Sequence, residues 1–221
     1  MVDLTTKVGD LVFKNPVTVA SGTFGVKDEY APYFDYSLLG GVITKTVTVK
    51  PRIGNPMPRI CETASGMLNA IGLQNKGVDA FFKEVIPYFK GVKTNLIVNV
   101  AGKSAEEFVD AAKPFAEEPT VKALELNLSC PNVSGGLDFS KSVLEAQKVI
   151  RAVRSITKKP LFAKLTPEAE NFLKMAAQKY DFSARSYMRL IKVARTIADL
   201  SAQDAILPVH MAEALQYKQL T

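Results

Sequence analysis

The sequence predicts an α/β fold of the (β/α) TIM-barrel type, and two observations indicate it. Short β-rich runs alternate with amphipathic helical segments over the first three quarters of the chain, which is typical of βαβ units and a parallel sheet. Polar side chains recur at the carboxyl ends of these runs, where barrel enzymes carry their functional sites. A two-layer dinucleotide-binding topology stays open on periodicity alone, although no Gly-x-Gly-x-x-Gly follows the first run.

Five runs define the predicted strands of this sheet. They cover residues 17–21, 42–46, 96–100, 123–129 and 161–165. An earlier run at 11–13 is expected to pair locally and to close the bottom of the sheet. Helices are predicted over residues 104–116 and 141–155, where apolar residues recur at helical spacing.

The run at 123–129 has one apolar face and one polar face. Alternation places Glu125, Asn127 and Ser129 toward the barrel interior and the leucines between them on the outer face, under helices. Cys130 follows directly, at the end of the strand where a barrel enzyme keeps its chemistry. A buried structural thiol is the alternative, since that is the commoner role of a single cysteine.

The same alternation gives each predicted strand one inward hydrogen-bonding side chain near its carboxyl end. These five are Ser21, Lys45, Asn99, Asn127 and Lys164. We expect them to line one polar mouth above an apolar interior. The connection at 51–77 is too long for an ordinary loop and is expected to cover a substrate there, with residues 134–136 as a flap hinge.

Beyond residue 166 the chain changes character. All 13 glycines lie at or before Gly136, and only helical patterns follow Pro167. A complete eight-stranded barrel needs about 250 residues. The sequence therefore predicts a barrel truncated after about five strands, over residues 1–166, followed by an all-helical segment over 167–221.

Composition narrows the function classes. The net charge is +6, but the basic residues are scattered and no nucleic-acid-binding motif accompanies them. Two cysteines do not suggest a disulfide framework, and the single histidine has no metal-ligating neighbours. No apolar run approaches the ~20 residues that span a bilayer. We expect a cytoplasmic protein with no metal site, no nucleic-acid partner and no membrane association.

Residues 1–166 carry a series of short motifs in a fixed order. The motifs are Asn-Pro at 15–16, Ala-Ser-Gly-Thr-Phe-Gly at 20–25, Lys-Thr at 45–46, residues 51–59 and 62–75, Asn-Val-Ala-Gly at 99–102, Asn-Leu-Ser-Cys-Pro-Asn at 127–132 and Lys-Leu-Thr at 164–166. Together they make residues 1–166 resemble the class 1B dihydroorotate dehydrogenases. The resemblance implies an (β/α)₈ barrel with FMN at its mouth. It also implies oxidation of dihydroorotate to orotate in pyrimidine biosynthesis, in which C5 loses a proton and C6 a hydride.

The resemblance assigns roles residue by residue. Cys130 matches the family's catalytic base. The implied FMN contacts are Ser21, Lys45, Thr46, Asn99, Asn127 and Lys164. The implied contacts to dihydroorotate or orotate are Lys45, Asn69, Ala70, Ile71, Gly72, Leu73, Asn127 and Asn132. An oligomer is implied, together with an electron-transfer subunit that carries FAD and an iron–sulfur cluster.

The last part of the chain resembles a different family. Residues 180–200 and 206–217 are similar to the C-terminal helical lid of magnesium-chelatase-related AAA+ ATPases, in which Arg185 would match the nucleotide sensor. An amphipathic helical hairpin with a solvated basic face is the simpler interpretation. Two alternatives to the enzyme therefore stay open: a catalytically inactive chimera or fragment, and a helical interaction module.

Overall fold

The computed structural model describes residues 2–129 and 143–165 of the chain. Its strands are β1 (Thr6–Val8), β2 (Leu11–Phe13), β3 (Thr18–Val19), β4 (Gly41–Ile43), β5 (Ile60–Thr63), β6 (Gly66–Asn69), β7 (Asn95–Val100), β8 (Val121–Asn127) and β9 (Leu161–Lys164). Its α-helices are α1 (Gly77–Phe89), α2 (Ala105–Ala112) and α3 (Val143–Ile156). The predicted segment 167–221 and the predicted flap hinge at 134–136 lie outside the described residues.

The central sheet has five parallel strands in the order β3-β4-β7-β8-β9, which confirms the predicted parallel α/β architecture. Although β3 and β9 form the two edges, the Lys164 ammonium donates to the Ser21 hydroxyl across 2.9 Å. An edge-to-edge hydrogen bond of this kind requires the sheet to curl, because neighbouring strands already lie about 4.8 Å apart. The described part of the fold is thus a strongly curved sheet whose concave side faces inward.

The bottom of the sheet is closed from within by the β1–β2 ribbon. The two strands pair antiparallel, as predicted for residues 11–13. Phe13 packs with Ile97 and Ala123 on the inward face, and Ile43 and Phe162 complete this apolar layer. The Asn95 side chain fixes the ribbon by donating to the Val12 carbonyl across 2.9 Å. The ribbon thus closes the bottom of the sheet, as predicted. Because this end is filled by apolar side chains, the inward polar groups lie toward the carboxyl ends of the strands.

The outer face of β8 is covered as predicted. Leu124, Leu126 and Leu128 are all at most 2% exposed, and α2 and α3 pack against each other outside the sheet. The Ser104 hydroxyl caps α2 by accepting from the Glu107 amide at 3.3 Å. The helix predicted to run to residue 116 ends at Ala112, because Pro114 belongs to a 3₁₀ turn at Lys113–Phe115.

Four of the five predicted strands, those at 17–21, 42–46, 123–129 and 161–165, extend past the observed carboxyl ends, and in the first two this moves predicted site residues into loops. The first ends at Val19 because the Ala20 carbonyl accepts from the Thr23 amide in a turn, so Ser21 lies just beyond β3. The second ends at Ile43, after which only isolated pairings such as Val47 with Val100 continue, and Lys45 and Thr46 lie in the following loop. Ser21, Lys45 and Thr46 therefore sit on the loops that leave these two strands, whereas the other predicted FMN contacts lie at the carboxyl ends of β7, β8 and β9.

The connection at 51–77 contains a hairpin that the sequence analysis missed. Strands β5 and β6 pair antiparallel, and all eight of their residues are exposed. Arg59 ties the base of the hairpin together by donating to the Ile53 carbonyl at 2.8 Å and the Gln74 side chain at 2.7 Å. That this element covers a substrate stays a prediction.

Candidate active site

The interior of the sheet changes from apolar to polar one layer above the Phe13 plug. Asn99 on β7 and Glu125 on β8 are partners in the strand register, so their side chains point inward at the same level. The Asn99 Nδ2 amide donates to Glu125 Oε1, and the Asn99 backbone amide donates to the Thr44 hydroxyl at 3.3 Å. Asn99 is fully buried, and its Oδ1 has no hydrogen-bond partner among the described residues.

Glu125 places a buried carboxyl group in this enclosed layer. Its burial raises the pKa of the carboxyl above the ordinary value, while the Asn99 amide, the Lys164 ammonium and the Ser21 hydroxyl act in the opposite direction. Only 9% of the residue is exposed. The ionised form of this carboxyl is therefore opposed by burial and favoured by three neighbouring polar side chains.

A second pair joins the two edges of the sheet at the mouth. The Lys164 Nζ donates to the Ser21 Oγ at 2.9 Å, and Ser21 is only 4% exposed. Asn127, which is in register with Lys164, donates through Nδ2 to the Thr46 hydroxyl at 3.1 Å. The Ser129 hydroxyl donates to Asn127 Oδ1 at 2.9 Å. The structure thus brings together five of the six predicted FMN contacts, namely Ser21, Thr46, Asn99, Asn127 and Lys164.

Lys45 faces a neighbouring cavity of about 770 Å³, whose wall it shares with Thr46. Several charged residues of the loops after β3 and β4 and of α1 line the same cavity. Two basic side chains there are already paired, Lys76 with Glu84 at 2.8 Å and Lys27 with Asp28 at 3.6 Å. Lys45 and Arg52 form no ion pair with another residue of the described structure. The cavity therefore presents positive charge to an anion.

Other predicted site residues are not joined to this polar mouth by the described contacts. The backbone of residues 69–73 bonds to the hairpin base: the Ala70 amide donates to the Arg59 carbonyl at 2.8 Å, and the Ile71 carbonyl accepts from the Asn55 amide at 3.1 Å. Cys130 and Asn132 lie outside the described residues. Their predicted roles stay predictions.

Glu125 is the ionisable member of this polar layer that the sequence analysis did not assign to the site; Thr44 and Ser129 are neutral members that it also did not assign. Alternation along β8 already placed it on the inward face between Ala123 and Asn127. The charge balance of the mouth could have assigned Glu125 to the site. An inward lysine at a buried mouth requires a counter-charge, and Glu125 is the inward carboxyl group of the strand next to Lys164. Elsewhere in the described ranges, no group of three acidic, histidine or cysteine side chains is suited to hold a metal ion. None of the described helices is long and apolar enough to cross a membrane.

The chain is similar in sequence to a known protein family and to several bacterial proteins. The family model for dihydroorotate dehydrogenase matches residues 3–207. A dihydroorotate dehydrogenase B (NAD(+)) catalytic subunit of Bacteroides thetaiotaomicron is 46% identical over 187 residues, which are 84% of this chain and 62% of the relative. The corresponding subunit of Geotalea uraniireducens is 42% identical over 206 residues, 93% of this chain and 68% of the relative. The chain therefore spans about three fifths of the length of the Bacteroides protein.

The fold has its own counterpart among solved structures. The Eimeria tenella dihydroorotate dehydrogenase, solved in complex with ferulenol, superposes with a TM-score of 0.60 over 75% of this chain and 53% of its own length. At 24% sequence identity this likeness concerns the fold alone. Both the family match, which continues past the predicted boundary at residue 166, and the identity to the bacterial subunits lead to one assignment. The chain belongs to the dihydroorotate dehydrogenase family.

Proposed function

We propose that the chain acts as the catalytic subunit of a dihydroorotate dehydrogenase and oxidises dihydroorotate to orotate in pyrimidine biosynthesis. The observation that carries the proposal is the convergence of buried or half-buried polar side chains, from the carboxyl ends of all five parallel strands and the loops that follow them, on one mouth. Such a mouth above an apolar plug suits a polar ring lying over the strand ends. The names of the bacterial relatives support the same reaction class.

The residues at the mouth fit FMN. Asn99 Oδ1 is buried without a partner in the described structure, and such an acceptor suits an N–H group of a flavin ring. Lys164, Ser21, Thr46 and Asn127 supply further donors and acceptors around it. When bound, FMN supplies the hydride acceptor of the reaction.

The remaining chemistry belongs to the protein. Cys130 would hold the proton taken from C5 of dihydroorotate, acting as the general base. Lys45, with Arg52 of the same cavity wall, would bind the substrate carboxylate, because neither forms an ion pair with a described residue. Asn127, Asn132 and residues 69–73 would orient the uracil-like ring through paired donors and acceptors.

The proposal extends to partners. Relatives are named as catalytic subunits, which supports a separate electron-transfer subunit. We infer that this subunit carries FAD and an iron–sulfur cluster, since the resemblance to class 1B enzymes implies both. An oligomeric assembly, a cytoplasmic location and a complete (β/α)₈ barrel in the assembled enzyme belong to the same proposal.

The test is the visible absorption spectrum of the purified chain supplied with FMN, recorded with and without anaerobic dihydroorotate. We expect a retained flavin band that bleaches when dihydroorotate is added. Bleaching without release of orotate, or a protein that retains no flavin, would contradict the proposal. Succinate, a dicarboxylate without the ring, serves as the matched additive that should leave the band unchanged.

A second proposal concerns residues 167–221, which lie outside the described part of the structure. We infer from their helical pattern and the Ser-Ala-Arg motif at 183–185 that they form a lid-like segment related to AAA+ ATPases. The family match to residue 207 overlaps this segment, so the two assignments compete for it. Arg185→Ala should abolish binding of a fluorescent ATP analogue to a complex with an AAA+ core, and unchanged binding would contradict the lid assignment.

A further inference from the structure

We propose that Glu125 is a positioning residue of the cofactor site: its buried carboxylate fixes which end of the Asn99 amide faces the ligand. This inference rests on the proposed function, because the ligand concerned is the flavin ring. It goes beyond that function because the proposed function gives Glu125 no contact with the substrate or the reacting atoms.

The two ends of the Asn99 amide have nearly the same shape and opposite hydrogen-bonding character. A carboxylate only accepts hydrogen bonds, so Glu125 binds the NH₂ end and repels the carbonyl end. The observed contact is the one that this rule requires, from Asn99 Nδ2 to Glu125 Oε1. Consequently Oδ1 faces away from the carboxylate, buried and without a partner in the described ranges.

An acceptor held in this way selects its ligand. A buried carbonyl oxygen without a donor is costly, so the site gains most from a ligand that brings an N–H group to it. The opposite orientation would present an NH₂ group and favour a carbonyl. Glu125 therefore makes the mouth specific for a ring that offers an N–H donor at this position, as an imide does.

Glu125 also acts on the other side of the mouth. The Lys164 ammonium and the Ser21 hydroxyl, which bond to each other at 2.9 Å, both stabilise its charge. The charged group that faces the carboxylate is the Lys164 ammonium from β9. Two neutral side chains, Asn99 from β7 and Ser21 after β3, also face it. Three predicted FMN contacts depend on one carboxylate.

The carboxylate stabilises this arrangement at a cost to the fold. Burial raises the pKa of Glu125, so the ionised form is less favourable in the folded chain than in the unfolded one. A buried carboxyl whose ionised form is disfavoured by burial, and which also organises a site, is expected from function rather than from packing. Removal of the charge should therefore weaken FMN binding without lowering the stability of the unliganded chain.

The test is Glu125→Gln, which keeps the shape and replaces one acceptor oxygen by a donor. Either orientation of the Asn99 amide then finds a partner, so Oδ1 is no longer held toward the ligand. We expect FMN to bind about tenfold more weakly, measured by quenching of flavin fluorescence on titration. The free energy of unfolding of the unliganded chain, measured in urea, should be unchanged or higher.

Two further variants separate positioning from general damage. Glu117→Gln makes the same chemical change at an exposed position before the other end of β8 and should leave both quantities unchanged. In an Asn99→Ala background, Glu125→Gln should have no further effect on FMN affinity, because its effect acts through Asn99. Additive losses in the double variant would overturn the proposal.

The pH dependence of stability gives a readout that does not need FMN. Because the folded pKa of Glu125 lies above the ordinary value of 4.5, its favourable contribution is present below pH 4.5 and is lost as the pH rises through the folded pKa. The unfolding free energy of the wild type minus that of Glu125→Gln should therefore fall across this range. A difference that does not vary with pH would contradict a buried titrating carboxylate.

The inference and the proposed function fail separately. A wild-type chain that binds no FMN contradicts the proposed function and removes the ligand from this inference. A wild type that binds FMN, together with a Glu125→Gln variant of equal affinity, overturns the inference alone. Equal losses of affinity and stability in that variant would show that Glu125 is merely structural.

Discussion

Replacement of Cys130 by alanine is expected to slow the reduction of bound FMN by dihydroorotate about 10²–10⁴-fold, because the C5 proton loses its general base. The affinity for FMN should stay the same, since Cys130 is not among the predicted cofactor contacts. The measurement is the rate at which the flavin band bleaches after anaerobic mixing with dihydroorotate. This expectation separates catalysis from binding.

The chain supplies its own control for this variant. Cys61 is a free, exposed cysteine on β5, within the hairpin of the long connection. Cys61→Ala removes the same thiol from a site with no expected role in proton transfer, so the bleaching rate should equal that of the wild type. A Cys130→Ala variant that loses less than tenfold in rate would assign the base to another group.

The second large effect is structural and concerns Gly40, which directly precedes β4. A Cβ atom placed there would lie 1.9 Å from the backbone oxygen of Asn15. The Gly40 amide is also held by the Val17 carbonyl at 3.0 Å and the Asn15 side chain at 3.1 Å, so neither segment can withdraw freely. We expect Gly40→Ala to lower the free energy of unfolding by about 3 kcal/mol or more, measured in urea.

Gly91→Ala is the matched control for this substitution. The nearest atom to a Cβ at Gly91 is the Tyr88 carbonyl oxygen at 3.8 Å, an ordinary contact. Its unfolding free energy should therefore stay within about 0.5 kcal/mol of the wild type. If Gly40→Ala unfolded at the same urea concentration as Gly91→Ala, this result would contradict the close approach of the backbone at Gly40 to the backbone at Asn15.

Much of the fold follows from local rules that operate within a few residues. Alternation along β8 predicted both its buried leucine face and its inward polar face, because a strand has a period of two. Strand ends were harder to predict. The turn after Ala20 and the loop after Ile43 end their strands through hydrogen bonds that composition alone does not show. The exposed β5–β6 hairpin lacked the buried pattern by which strands are recognised.

The candidate site divides in the same way. Ser21, Asn99, Asn127 and Lys164 could be predicted because each lies near the carboxyl end of its own strand. Which of them touch could not be predicted, since the pairing of Lys164 with Ser21 depends on how far the sheet curls. Glu125 could have been predicted only by a second consideration. A buried interior that contains a lysine needs a nearby carboxyl group to balance its charge, and Glu125 is the inward carboxyl of the neighbouring strand.

The hydrogen bond between Lys164 and Ser21 has a consequence for the order in which the protein folds. The two residues are 143 positions apart, so the bond closes a loop that contains nearly all of the described sheet. Contacts of such long range form only after the chain has lost most of its freedom, and they slow folding. During synthesis, the mouth cannot be completed until residue 164 has left the ribosome, whereas the β1–β2 ribbon can form as soon as its own residues emerge.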